Sequence, residues 1–417
     1  MKPSLWNRNF ILLFTATTLG AAGAIAGEFA LSFLVFDETG STLAAALTVA
    51  LRLVPGFVIP LVAAPWMDRL PRKPFLVGGD ALSGVLYLLA GLYLRARPFT
   101  YAGYLGFSLL LASLSAFDEL AFNSIFPRLI PAGQEEKGYT VSGMLYPVLN
   151  VVMMPAAALL METIGTANIL LVQGGLSILA AAVESRIRLQ EENRMEGSRF
   201  SFALWKADIL EAARYLKQEK GLLSLYAYSA VTNGMARGEG PLLVAFFRTM
   251  PGFTVAMYSF FSVVEFIGRS LGGLVHYNLK LPKNRRFAAT FGIYLTYETM
   301  DMCLLWLPYP LMLANRALCG FLGINSATIR ESAVQTYLPD RLRARVNAFL
   351  SMMALSVSAV LSLAVGALGE VLDYRVCMTV CGAVTMAVCW LTVWRGRAGV
   401  RRVYEWEPQP AAGLQAE

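Results

Sequence analysis

The sequence predicts an all-α integral membrane protein, with twelve transmembrane helices arranged as two six-helix pseudo-repeats. Three observations predict it. Apolar residues fill 56% of the 417 positions against 15% charged, the apolar residues come in twelve long blocks, and the basic residues gather on alternate loops. A soluble domain carries roughly 25% charged residues. A bilayer core about 30 Å thick takes roughly 20 helical residues to cross, so twelve crossings use on the order of 240 residues and leave most loops short. Membrane strands are excluded, because a barrel needs segments of roughly 10 residues alternating in polarity and no such alternation is present.

The blocks are too long for ordinary core helices and too apolar all round for surface helices. The first, 9–35, follows only Lys2 and Arg8 and outruns the roughly 7–15 apolar residues of a signal peptide, which makes it an uncleaved span. It carries Glu28 toward its outer half, with no cation within a turn. The second, 42–66, carries Arg52 near mid-depth and is the nearest source of a partner for Glu28. Block three spans 74–94. Block four, 99–122, has Asp118 and Glu119 toward its inner end, and block five, 139–162, contains Met154-Pro155-Ala156-Ala157-Ala158. Block six is 166–185. In block seven, 221–247, Arg237 and Glu239 are two apart and point to different faces. In block eight, 253–275, Glu265 and Arg269 are four apart and can pair along one helix. Block nine, 287–306, carries Glu298 and Asp301, and block ten, 309–329, carries a deep, isolated Arg316. Blocks eleven (347–369) and twelve (372–394) complete the count.

The formal net charge is +7, and its placement is a topology signal. Most of the 35 Lys and Arg lie on the even-numbered loops and the two tails, and only Arg95, Arg97, Arg248 and Arg375 lie on odd loops. By the positive-inside rule both termini and the even loops are cytoplasmic, in a cell (plasma or inner) membrane, and nucleic acid is not the partner. The chain divides into an N-terminal half (1–185), a cytoplasmic linker (186–220), a C-terminal half (221–398) and a disordered cytoplasmic tail (399–417). Within the linker, 200–217 reads as an amphipathic helix, with Phe202, Trp205, Ile209, Ala213 and Leu216 on one side, lying on the membrane face. All five cysteines, Cys303, Cys319, Cys377, Cys381 and Cys389, fall in or at spans, where a thiol packs as a small apolar group.

The second half slides over the first at a shift of 208, placing Ile130-Pro131 on Leu338-Pro339, Lys137 on Arg345 and Glu162 on Glu370. In spans four and ten a shift of 202 places Asn123-Ser124 on Asn325-Ser326. Parallel six-helix halves are the arrangement of transporters that rock around a central site.

The loop after the second block reads Ala64-Pro65-Trp66-Met67-Asp68-Arg69-Leu70-Pro71-Arg72-Lys73. It resembles the Gly-x-x-x-Asp-Arg-x-Gly-Arg-Arg/Lys signature of the major facilitator superfamily, with Asp68, Arg69, Arg72 and Lys73 matching and both glycines replaced. A degraded copy runs from Gly272 to His276 and Lys280. Asn315-Arg316-Ala317-Leu318-Cys319-Gly320 is similar to the Arg-x-x-x-Gly element that the family more often shows in span four, where Leu114 stands here. Pro155 is the remnant of an exporter motif, Gly-Pro-x-x-Gly. The stretches 208–233 and 338–345 look like those of the twelve-helix drug, macrolide and siderophore proton-antiporter branch. The resemblance implies the major facilitator fold, a conformational-switch loop at Asp68, Arg69, Arg72 and Lys73, and proton-coupled efflux of a small amphipathic molecule by a monomer.

A charge at mid-bilayer costs about 2.5–3.5 kcal/mol on insertion scales, so each needs a partner or a task. Glu28, Asp118, Glu239, Arg52 and Arg316 are the proton-coupling or substrate-contact candidates, set against the plainer reading of interhelical structural pairs. Glu265 and Arg269 read as a structural ion pair. Glu298 and Asp301 read as a like-charge pair wetted near the outer surface. Asn150, Asn233 and Asn315 read as interhelical hydrogen-bonding residues, and Trp6, Trp306, Tyr309 and Trp394 as interface anchors. No phosphate-binding Gly-x-x-x-x-Gly-Lys-Ser/Thr loop is present, and the lone His276 supports neither a triad nor a metal site, so no enzyme and no cofactor is expected. A nutrient importer or uniporter of the same fold, or a transport-inactive sensor or assembly subunit, stands as the alternative.

Overall fold

A computed structural model describes residues 4–67, 71–131, 133–188, 202–278 and 281–406. Among them every regular element is helical: α1 (Arg8–Thr39), α2 (Thr42–Met67), α3 (Lys73–Ala96), α4 (Tyr101–Leu129), α5 (Glu135–Thr163), α6 (Thr166–Glu184), α7 (Phe202–Gln218), α8 (Lys220–Thr249), α9 (Val255–Asn278), α10 (Lys283–Cys303), α11 (Tyr309–Tyr337), α12 (Asp340–Val371), α13 (Tyr374–Cys389) and α14 (Arg397–Glu405). Twelve of these coincide with the twelve apolar blocks, while α7 and α14 are additional. Eight described helices are long and apolar enough to cross a membrane by length and composition alone: α1 to α6, α12 and α13. The remaining four, α8 to α11, are 21–30 residues long, but they carry the interior charges Arg237, Glu239, Glu265, Arg269, Glu298, Asp301 and Arg316, which lower their apolarity.

Local chemistry sets several ends. Asn7 caps α1, its side chain accepting from the Phe10 N–H at 2.9 Å, which satisfies one of the orphan donors of a first turn. At the other end Gly40 adopts φ +64°, and its N–H reaches the Phe36 carbonyl at 2.8 Å. That left-handed cap favours glycine. Helices α4, α11 and α12 run 7–8 residues past their apolar blocks, on the polar flank of each span.

By packing, the chain divides into two compact units, residues 1–200 with 241–263 and residues 201–240 with 264–417. In the first, Phe10, Leu13, Leu76, Ile125 and Ile187 form one buried cluster, and the C-terminal end of α1 is held by Arg248, whose Nε and Nη2 donate to the two Asp37 oxygens at 2.7 and 2.8 Å. In the second, Leu222, Phe287, Ile329, Val346 and Tyr404 belong to one core.

That core changes two expectations. The sequence predicts disorder over 399–417, yet α14 covers Arg397–Glu405 and buries Val400, Val403 and Tyr404. The Tyr404 hydroxyl also lies 3.2 Å from that of Tyr294. A repeat of apolar side chains on a strongly basic helix explains the packing: one face enters the core while Arg401 and Arg402 stay outside it. Residues 407–417 lie outside the described set. The amphipathic α7 likewise puts Ala212 and Leu216 into protein core, and its Glu211 pairs with Arg345 and, at 3.6 Å, with Arg341. Protein therefore covers this part of the face that reads as membrane-lying. The side chains of Phe202 and Trp205 lie outside the described set.

Small residues bring α9 and α11 together. A Cβ on Gly268 would overlap the Ala317 carbonyl, and one on Gly272 would sit 2.6 Å from the Phe321 oxygen. Gly268 and Gly272 thus form a small-x-x-x-small stripe, the device by which membrane helices approach closely. Gly268→Leu is expected to abolish folded protein, read as loss of the monodisperse peak in size-exclusion chromatography. Gly273→Ala, at a position with open space around it, should elute as wild type. A monodisperse Gly268→Leu protein would sink the argument.

Candidate functional site

Within the first unit, α3 and α6 meet at paired glycines. A Cβ on Gly84 would lie 2.9 Å from the Gly174 carbonyl, and one on Gly174 would lie 2.8 Å from that of Gly84. Facing them, α1 presents a run of small residues, Ala16, Gly20, Ala21 and Ala24. Because neither surface fills the space, a cavity of about 500 Å³ opens among α1, α3, α4, α5 and α6. Four carboxyl groups line it: Asp80, Asp118, Glu119 and Glu184, with Gln173, Tyr87 and Tyr146. Glu184 is 2% exposed. Its Oε2 atom and the Oδ1 atom of Asp118 are buried without a hydrogen-bond partner, as is Oε1 of Gln173. Gln173 lies so close to α1 that a Cβ on Gly27 would collide with its amide. No lysine or arginine is among the described lining residues.

Nearby in the same unit, Glu28 of α1 is ion-paired with Arg52 of α2. This answers the question the sequence left open, since Glu28 has no cation within a turn of its own helix. The pair is half-exposed, at 50% for the Glu28 side chain and 38% for Arg52. In the switch loop, Asp68 and Arg69 lie outside the described residues. Arg72 donates to the Ser124 carbonyl at 3.1 Å and Lys73 to the Ser185 carbonyl at 2.6 Å. Ser185 is the C-cap of α6, so Lys73 places a positive charge at the negative end of that helix. Pro155 sits inside α5, followed by buried Ala157 and Ala158.

The second unit holds a buried charged network. Arg316 is not isolated: its Nη2 donates to Asp301 Oδ1 at 2.9 Å, and both side chains are 10% exposed or less. Fifteen residues apart in sequence, they meet because α10 and α11 fold back on each other through a short turn at Leu304–Trp306. Glu298 and Asp301 are not wetted at a surface, being 2% and 5% exposed. Glu298 accepts from the Tyr228 hydroxyl at 2.7 Å, from Thr232 at 3.4 Å and from Thr385. Glu239 is buried and feels both Asp301 and Arg316. Glu265 and Arg269 pair at 2.8 Å along α9 as the spacing predicts. A second cavity, of about 360 Å³, is lined by Tyr226 and Ser229 of α8, Glu331 and Gln335 of α11, and Asn347 of α12.

Other expectations divide. Asn315 does bridge helices, donating to the Met300 carbonyl at 2.9 Å. Asn150 and Asn233 instead return to carbonyls four residues back in their own helices. Cys319, Cys377, Cys381 and Cys389 are buried, whereas Cys303 is exposed at the end of α10 and does not pack. Trp306 is held by Thr379 and faces Arg375, and Trp394 stacks on Phe291 and under Arg397.

Asp80 and Glu184 join Asp118 in the cavity although neither is among the candidates from sequence. Both lie inside apolar blocks, 74–94 and 166–185, so the cost of a charge in a span flags them by the same reasoning.

Membrane-length helices enclosing ionisable side chains and small-molecule-sized cavities define the class as a multi-pass membrane transporter. The chain belongs to the Major Facilitator Superfamily, whose pattern it matches over residues 9–297, and is accordingly not an enzyme. It is 26% identical over 357 residues to the multidrug efflux pump Tap of Mycolicibacterium fortuitum, covering 82% of this chain and 85% of that one. A crystal structure of the nucleoside transporter NupG superposes with a TM-score of 0.73 at 10% identity, covering 94% of this chain and all of that one. A bacterial homologue of the human lysosomal transporter Spinster gives 0.65 at 14% identity over 97% and 94% of the two chains. A POT-family peptide transporter gives 0.72 at 10% identity over 96% and 97%. These structures share the fold.

Proposed function

We propose that the protein exports a small amphipathic molecule, of drug, macrolide or siderophore type, across the cell membrane in exchange for protons. It acts as a monomer with both termini cytoplasmic, and its halves, 1–185 and 221–398, rock in alternating access about the switch loop at Asp68, Arg69, Arg72 and Lys73. The single observation that carries the coupling is the Glu28–Arg52 ion pair. A carboxylate held by a guanidinium from the neighbouring helix releases that partner when it takes up a proton, which turns proton binding into a change of interhelical contact. The outward direction is supported by the likeness to a multidrug efflux pump and by Pro155 inside α5.

The test is purified protein in proteoliposomes with an imposed proton gradient and a panel of drugs, siderophores and peptides. Gradient-dependent movement of at least one compound is expected. Movement indifferent to the proton gradient would favour a uniporter. Ligand binding without any flux would favour a transport-inactive sensor.

A further inference from the structure

Resting on the efflux reading, and naming the substrate class it leaves open, we propose that the cavity inside the first unit is a binding site for an amphipathic organic cation, with Asp80, Asp118 and Glu184 receiving its charge.

Three facts carry this. The charge is one-sided: Asp80, Asp118, Glu119 and Glu184 line the cavity and no described lysine or arginine does. Two carboxylate oxygens, Asp118 Oδ1 and Glu184 Oε2, are buried with no donor. Buried carboxylates are tolerated when neutral or when a cation faces them, and a bound organic cation supplies the second condition. The Glu184 side chain is almost wholly buried and lines the cavity.

Size and wall chemistry narrow the ligand further. A volume of about 500 Å³ falls within the roughly 300–1,000 Å³ of small-molecule sites and far exceeds the ~30 Å³ share of one water. Among the described residues no group of three or more His, Cys, Asp or Glu side chains is placed to hold a metal ion. The remaining wall is mixed: Ala21, Ala24, Leu111, Phe122, Tyr87 and Tyr146 are apolar or aromatic, while Thr17, Ser83, Ser115, Asn123, Ser142, Gln173 and Ser177 are polar and uncharged. Aromatic faces attract a cation through the ring quadrupole while accepting its hydrocarbon part. Glu28 and Arg52 are not among the lining residues and are paired with each other.

The probe is tetraphenylphosphonium, with neutral triphenylphosphine oxide as its uncharged counterpart, titrated into the purified full chain in detergent. Saturable binding of the cation is expected, with at least tenfold weaker binding of the oxide. Asp118→Asn and Glu184→Gln should each weaken cation binding by about tenfold, about 1.4 kcal/mol in affinity terms. Equal binding of cation and oxide, or unchanged cation binding in Asp118→Asn and Glu184→Gln, overturns the proposal. So does a loss of gradient-driven flux in those variants with cation binding intact, which would make the cavity a proton site. If either variant fails to fold, the wild-type protein decides. Carbodiimide modification of Asp118 and Glu184, read by peptide mass spectrometry, should be slowed by tetraphenylphosphonium, and no protection overturns the proposal. Cation binding without flux of any compound would leave this site standing and remove the efflux reading. Proton-driven flux of neutral compounds without cation binding would do the reverse.

Discussion

Replacing Arg316 by methionine is expected to lower the melting temperature of the purified protein by on the order of 10 °C, with a matching loss of membrane yield. Arg316 is the cation in a group that also holds Asp301, Glu239 and Glu298, all buried, and its Nη2 contact to Asp301 is 2.9 Å. Removing one partner of a buried pair costs about 3–5 kcal/mol, because the other charge is left without compensation. For a cooperative unit near two hundred residues, each kcal/mol shifts the midpoint by roughly 2–4 °C. Glu298 has its own donors in Tyr228, Thr232 and Thr385, so the burden falls on Asp301 and Glu239. Arg316→Met with Asp301→Asn should therefore recover a large part of the loss. A neutral pair of similar shape often replaces a buried ion pair at little cost. Arg316→Lys should fall between wild type and methionine, since an ammonium keeps the charge but not the planar fork. A methionine variant melting at the wild-type temperature would show that the network does not hold α10 and α11 together.

The fold was legible because hydrophobic blocks in lipid must be helices: no other open structure satisfies its backbone hydrogen bonds there. The blocks 42–66, 166–185 and 309–329 begin within a residue of α2, α6 and α11. Block length and charge, however, say nothing about how far a helix continues into polar flanks. The basic repeat that makes α14 amphipathic looked like tail composition, since two buried valines and a tyrosine are a weak periodic signal over nine residues. At the site, the local rule worked where partners share a helix, as in Glu265 and Arg269. It failed for Arg316, whose partner is on another helix and reaches it only through the turn at Leu304–Trp306. The same limit hid the acidic cavity: Asp80, Asp118 and Glu184 come from α3, α4 and α6, and only glycine-mediated packing of α3 on α6 brings them to one space.

Glu28→Gln is expected to reduce gradient-driven transport to the level of protein-free liposomes while leaving counterflow exchange and the melting temperature close to wild type. The stability half follows from exposure. A pair with half-exposed side chains is worth about 0–1 kcal/mol, so a neutral amide in place of the carboxylate removes little that holds α1 to α2. The transport half follows from chemistry. Glutamine keeps the size and hydrogen-bonding reach of glutamate but cannot change charge, so Arg52 never experiences the gain and loss of a partner that proton coupling requires. A purely structural pair makes different predictions. Arg52→Met should then mimic Glu28→Gln in every assay, and the exchanged variant carrying Glu28→Arg with Arg52→Glu should restore transport, because the attraction is the same either way round. A proton carrier at position 28 is not restored by that exchange, since the carboxylate moves to α2 with different neighbours. Wild-type gradient-driven flux in Glu28→Gln, or full recovery in the exchanged variant, would assign Glu28 to structure and shift the coupling to Asp118 or Glu239. Glu239→Gln is then the variant to measure next, because Glu239 lies beside the Asp301–Arg316 pair, where a change in its charge alters how tightly that pair is held.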